Sequence, residues 1–255
     1  MKSGIIIIAL VAIAFSYSFC KGANKKPPVA HNSKGFAVVE LFTSEGYSSC
    51  PPADKLVEKI QKENANQPIY IMTFHVDYWD FQGWKDRFAN PDYSARQRRY
   101  ADWLHLETVY TPQVVINGAS ECVGSDEGSL TKAITAGLDQ TTGATLTLQG
   151  NIQGDKLNVE YNTTDEKNAE LVLALVQKSA ESNVRAGENA GRKLSHVQIV
   201  RQLVYQDVND KKKITINLPG DFNQNSWEVI GFVQHKNDGH ITAGARFNFQ
   251  PQTKA

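Results

Sequence analysis

The stretch Val38-Val39-Glu40-Leu41-Phe42-Thr43-Ser44-Glu45-Gly46-Tyr47-Ser48-Ser49-Cys50-Pro51-Pro52-Ala53-Asp54 decides the reading of this chain. Its first part, Phe36 to Phe42, is short, apolar and β-branched at its centre, the pattern of a buried strand. Thr43 to Pro52 is a Ser- and Gly-containing loop, and Pro51-Pro52 suits the first turn of a helix, where a missing N–H costs nothing. Leu56, Val57 and Ile60 then form the buried stripe of a helix running to about Asn64. Ile69 to His75 is a second buried strand, so the order is β-α-β, the start of an α/β domain.

Beyond it, residues 77–108 form an insertion. Trp79, Phe81, Trp84 and Phe88 crowd its first part, and Pro91 to Leu106 reads as a helix with Arg96, Arg98 and Arg99 on its polar side. Gln113 to Ile116 is a third strand, Asn117-Gly118 a hairpin turn, and Glu121 to Gly124 the returning strand. Ser125-Asp126 caps a further helix over about 127–138. After Thr141-Thr142-Gly143 the pattern becomes strand after strand: 144–152, 156–163, 169–177, 213–218, 227–234 and 241–249. That spacing predicts an all-β, sandwich-like domain over 143–250 following an α/β domain over 35–142.

Towards the start, Lys2 and the apolar run Ile5 to Ala14 predict a signal peptide over 1–22, with small residues around Ser16-Tyr17-Ser18 and Cys20-Lys21-Gly22. The expectation is export to the periplasm or beyond. An uncleaved anchor and a lipid anchor on Cys20 are the alternatives. Residues 23–34, with Lys25-Lys26-Pro27-Pro28, read as a tether. No later stretch is apolar for long enough to cross a bilayer as a helix.

Composition narrows the function classes. Of 255 residues, 41% are hydrophobic and 21% charged, an ordinary globular balance. Lys plus Arg (27) equals Asp plus Glu (27), so the chain as a whole offers no electrostatic funnel for nucleic acid. P-loop, GxGxxG, HExxH and GxSxG motifs are all missing. No cofactor is expected, and Cys–His spacings give no structural zinc site.

Four constellations remain as site candidates. Cys50 sits where a helix begins, and unpaired N–H groups there favour a thiolate; a small buried residue that only packs is the alternative. Thr111-Pro112-Gln113 opens a strand, where a proline can adopt the cis form. His75, Asp77 and Asp80 follow the second strand, and a His with two carboxylates can bind a metal, move a proton or simply fix a loop. The aromatics around Trp79 form either a satellite core or, beside Cys50, the wall of a peptide groove. Finally Arg185 to Arg201, with Glu188, Asn189, Arg192 and His196, reads as a long surface loop or as a flap against the first domain.

Together, strand, Cys loop, helix, strand, insertion, Thr-Pro, hairpin and helix resemble the thioredoxin fold. More narrowly, Val38 to Ser44, Cys50 to Asp54, Phe74 to Asp80 with Gly83-Trp84, Ala95 to Arg98, Tyr110 to Gln113 and Val123 to Asp126 resemble the secreted domain-of-unknown-function family 1223. Gly187-Glu188-Asn189, Gly191-Arg192, Leu194, His196 and Val200-Arg201 extend that resemblance into the second half. The resemblance implies a Cys-Ser-Ser-Cys motif whose first, attacking cysteine is replaced here by Tyr47, so that Cys50 matches the buried, resolving one. A dithiol cycle needs both. It further implies that Thr111, Pro112, Gln113, Gly124, Ser125 and Asp126 lie where related folds hold glutathione.

A Cys50–Cys122 disulfide would need Cα atoms about 4.4–6.8 Å apart, and two free thiols are the expected state. Three functions follow: a redox-degenerate module binding a peptide or protein partner in the envelope, a single-thiol oxidoreductase acting through Cys50 with a small thiol such as glutathione, and a metal-binding protein using His75, Asp77 and Cys50. The first is the favoured expectation.

Overall fold

The computed structural model describes residues 35–165, 167–208 and 212–249; the expected signal peptide, the tether and Cys20 lie outside them. The first half runs β1 (Ala37–Thr43), α1 (Cys50–Glu63), β2 (Ile69–His75), a 3₁₀ turn (Asp80–Gln82), α2 (Pro91–Leu104), β3 (Gln113–Ile116), β4 (Ser120–Val123) and α3 (Glu127–Asp139). The second half is β5 (Leu146–Gln153), β6 (Lys156–Thr163), β7 (Ala169–Asn183), β8 (Lys193–Asp207), β9 (Lys213–Asn217), β10 (Trp227–His235) and β11 (Ile241–Asn248).

Eight of these strands form one sheet in the order β11-β10-β7-β8-β2-β1-β3-β4, and β5-β6-β9 form a second. β1 lies parallel to β2 and antiparallel to β3, with β3 and β4 closed as a hairpin. The strands alternate by the two-residue period of extended chain. Val38 and Phe42 join a core under α2 with Tyr93 and Tyr100, while Ala37, Val39 and Leu41 pack on α1 and α3. β7 continues the pattern, since Val172, Ala174 and Val176 belong to the α2-side core and Leu171, Leu173 and Leu175 face the three-stranded sheet. Strands from both sides of residue 142 therefore share one sheet and one core, an arrangement the reading of two successive modules did not include.

The joint is β8. Read from sequence as a loop over 185–201, this segment is instead a strand from Lys193, and only residues 184–192 turn. Its inward positions near the joint are Leu194, His196 and Gln198, so the buried face of the strand is largely polar and carries no alternating apolar signal. β8 meets β2 in parallel at Thr73 and Ile199, and the Thr73 hydroxyl donates to the Val197 carbonyl at 2.8 Å.

Two further contacts weld the halves. Asn117 and Gly118 both take positive φ, as the two-residue hairpin requires. The Asn117 side chain accepts from Val38 N at 2.7 Å and donates to Phe36 O, while its carbonyl accepts from Ile241 N on β11. Gly118 is fixed by space as well, because a Cβ there would lie 1.9 Å from the Gly239 carbonyl oxygen.

The second weld corrects the reading of α2. Arg96 does not line its polar side with Arg98 and Arg99 but is buried, bidentate on Glu40 of β1 at 2.6 and 2.8 Å. Glu40 points to the α2 face by the same alternation that sends Val38 there. Tyr100 donates to Glu40, and Arg96 donates to Gln234 of β10 at 3.2 Å, so the fork spans both halves.

Candidate functional site

Cys50 is the first residue of α1, at the carboxyl end of β1, and is completely buried. Of the two readings open for it, its environment opposes the thiolate and fits the buried residue that packs. Burial pushes the thiol up to about 12, the Asp54 carboxylate one helical turn on adds to it, and hydrogen bonds from Thr43, Ser44 and Thr111 offset only part. The helix terminus does little to help, because Pro51 and Pro52 carry no N–H and the Cys50 N–H is spent on Tyr47 O at 3.1 Å. Cys122 is also a free thiol, half-buried and raised to about 11 by burial, then by Glu121 and Asp126. It pairs in register with Val114.

Above Cys50, Tyr47 lies flat on Trp79, with ring centroids 4.0 Å apart and planes within 3°. Phe81 also neighbours Trp79, with ring centroids 6.3 Å apart and planes within 18°, and is 79% exposed. Trp79 in turn donates its indole N–H to the Thr111 hydroxyl at 2.7 Å, and the Thr111–Pro112 bond is cis. On the far side of Pro112, the Gly124 N–H donates to the Pro112 carbonyl at 2.8 Å. A Cβ at Gly124 would crowd Leu41, Ala53 and Pro112 at 3.0–3.1 Å, so this turn sits directly on the start of α1. Exposed Val123 and Ser125 flank it.

The segment between β7 and β8 closes over the Cys loop as a flap. Glu188 accepts from Ser48 N at 2.9 Å, and buried Asn189 donates to the carbonyls of Glu45 and Tyr47 at 2.9 and 3.1 Å. Arg192 holds Asn189 by donating to its side-chain oxygen at 2.6 Å. Turning so tightly requires the positive φ of Gly187, which faces Gln82 O and Trp84.

Behind the flap lies a buried ionic cluster. His75 Nδ1 meets Asp86 at 2.6 Å, and His196 lies with Nε2 3.2 Å from Glu45 and Nδ1 3.7 Å from Asp54. These last two contacts are close but not aligned as hydrogen bonds. Burial opposes charging His196, yet Asp54 and Glu45 outweigh it and raise the imidazole to about 10. Trp84 donates to the other Glu45 oxygen at 2.7 Å.

The structure thus brings Tyr47, Cys50, Trp79, Thr111, Pro112, Gly124, Ser125, Glu188, Asn189, Arg192 and His196 around one loop. Others take different places. Gln113 is buried, accepting from Gln97 and donating to Glu121. Asp77 accepts from Ser94 at 2.5 Å and is not the partner of His75. Asp126 caps α3 through Ser129, which holds its carboxyl below the usual range. Among the described residues, no group of three or more His, Cys, Asp and Glu is arranged to hold a metal ion.

Residues that sequence reasoning missed are Glu45, Asp54 and Asp86. Asp54 had a signal, being four residues after Cys50 on one helix face. Asp86 had none, since the nearer Asp77 competed for His75.

Two solved structures share this architecture. A protein of Agrobacterium tumefaciens, AGR_C_4864, aligns with 86% of this chain and 96% of its own at 24% identity, with a TM-score of 0.65. HBP35 of Porphyromonas gingivalis aligns with 88% of this chain and 79% of its own at 14% identity, with a TM-score of 0.60. No curated protein sequence is similar enough to count as a relative. The family model described as "Protein of unknown function (DUF1223)" matches residues 38–234, three quarters of the chain and all of the site, and the chain belongs to that family.

Proposed function

We propose that the first half is a thioredoxin-like unit that has lost dithiol chemistry and keeps the Thr111–Pro112 face as a docking groove for an extended protein segment. One observation carries the reading. Cys50 is fully buried with its thiol pushed up to about 12, while the rings of Tyr47, Trp79 and exposed Phe81 gather beside the Thr111–Pro112 bond. A nucleophile needs exposure and a thiolate; Cys50 has neither. Exposed Phe81 neighbours Trp79, which bonds Thr111, and exposed Val123 precedes Gly124, which bonds Pro112, so each offers an apolar contact beside the Thr111–Pro112 bond.

The apolar leader supports export, and no helix of the described residues is long and apolar enough to cross a membrane. The partner is accordingly sought among envelope proteins.

A displayed library of random peptides, selected on the immobilised protein, tests the proposal. Selected peptides are expected to lose about tenfold in affinity with Phe81→Ser, the scale of one lost exposed aromatic contact, with melting unchanged because the ring is exposed. Cys50→Ala should leave binding intact. Binding that ignores Phe81→Ser but vanishes with Cys50→Ala would replace this reading with single-thiol chemistry.

A further inference from the structure

A cavity of about 550 Å³ opens where the chain passes from the first half into the second, within the range of about 300–1,000 Å³ usual for small-molecule sites. Its walls come from three segments. Gln140, Thr141 and Thr142 belong to the linker after α3, Thr164 and Asp165 follow β6, and His240 and Thr242 stand at the start of β11. The cavity is separate from the Cys50 site. Gly35, before β1, packs so closely on the Gln140 carbonyl that a Cβ there would lie 2.3 Å away, whereas Cys50 follows the opposite end of that strand.

The backbone of these walls is held in place. Thr164 N donates to the Thr145 carbonyl at 3.3 Å, and Thr145 N donates to the Thr164 hydroxyl at 3.0 Å. The His240 carbonyl accepts from His235 N at 2.9 Å, and the His240 N–H donates to Asp238 at 3.0 Å. The side chains, by contrast, keep hydrogen-bonding capacity to spare. Those of Gln140, Thr141, Thr142 and His240 make no hydrogen bond among the described residues. The buried Thr242 hydroxyl has no partner there either. Asp165 gives one carboxylate oxygen to His235 Nε2 at 3.0 Å, which orients the group and leaves its other oxygen to accept. Polar groups left unpaired are costly once water is displaced, so such a site favours an occupant that satisfies them.

The chemistry of the walls narrows the occupant. Among the described residues no Lys or Arg borders the cavity, so nothing there matches a phosphate, sulfate or carboxylate. Ala144 supplies little surface for an apolar ligand. The carboxylate of Asp165 is already engaged by His235 and is a weak anchor for an ammonium ion. What remains are hydroxyls, an amide and an imidazole, each of which both donates and accepts. Sugar hydroxyls have the same dual character, and several on one ring suit several such groups converging from three segments. We infer that this cavity binds a neutral mono- or disaccharide, with Thr142, Asp165 and His240 as its principal contacts. The saccharide site and the docking groove are independent of each other.

The test titrates the protein with cellobiose, maltose and lactose, and with glucosamine and glucuronate as charged comparators. Calorimetry gives the affinities, and the imidazole C–H signals of His240 in the NMR spectrum report the place of binding. At least one neutral disaccharide is expected to bind saturably, in the millimolar range or below, and to shift the His240 signals. Thr142→Val and His240→Ala, both at partly exposed positions, should each weaken that binding about fivefold, the scale of one lost hydrogen bond to a neutral group, with melting unchanged. Phe81→Ser should leave it as it is. Absence of saturable binding by all three disaccharides overturns the inference, as does binding that survives both cavity variants. Tighter binding of glucosamine or glucuronate than of any neutral sugar would overturn the neutral class and give the cavity to an ion.

Discussion

Replacing His196 with glutamine is expected to destabilise the protein by roughly 3–5 kcal/mol, the scale seen when one partner of a buried ion pair is removed. The imidazolium is the positive charge placed between Glu45 and Asp54, both fully or almost fully buried, and glutamine leaves those carboxylates facing each other. The same substitution should remove a pH dependence. His196 titrates near 6.5 when unfolded and is raised to about 10 when folded. The folded state therefore binds the proton more tightly, its stabilisation is complete below about 6.5, and it is lost as pH rises towards 10. Urea unfolding from pH 6 to pH 10 should show the wild type weakening across this window by more than His196→Gln does. Parallel pH profiles would mean that the imidazole is neutral in the folded protein.

The second large effect concerns Arg96. Its guanidinium is buried against Glu40, Tyr100 and Gln234 and lies over the rings of Phe74 and Phe232. Arg96→Met strands the Glu40 carboxylate in the core and should cost roughly 3–5 kcal/mol. Adding Glu40→Leu should restore most of that loss, because two well-packed apolar residues replace a desolvated pair at little net cost. Because Arg96 bonds to β1 and β10 alike, the single variant should lower the urea midpoint read by tryptophan fluorescence. A double variant as unstable as the single one would show that Arg96 contributes mainly through packing.

These two residues also mark where the sequence stopped being legible. The first half could be read because its strands are apolar runs, its turn is Asn-Gly and its helix begins at Cys-Pro-Pro; the observed β1, β2 and β3 fall where those signals put them. Arg96 was assigned to a surface because arginine on a helix is usually solvated, and its partner Glu40 lies 56 residues away inside an otherwise apolar strand. In the sequence β8 reads as a loop because its inward-facing His196 and Gln198 are polar and the carboxylates they face, Glu45 and Glu228, are distant in sequence. Missing that strand hid the shared sheet. The flap itself was legible as a turn, but its target was not, since Asn189 reaches the carbonyls of Glu45 and Tyr47 across more than 140 residues. The charge state of Cys50 stays open in the sequence for a related reason. Its position at a helix start is visible in the sequence, whereas its burial and the carboxylate of Asp54 behind it are properties of the fold.

The thiol of Cys50 therefore offers the most direct test. In a Cys122→Ser background, the native protein is treated with iodoacetamide across a pH series and the mass of the Cys50 peptide is followed. A protonated, buried thiol predicts that Cys50 stays unmodified at pH 8 and reacts at the rate of a free thiol only when the protein is unfolded. Rapid modification of the folded protein with an apparent pKa below 8 would contradict the account and return Cys50 to the role of a nucleophile.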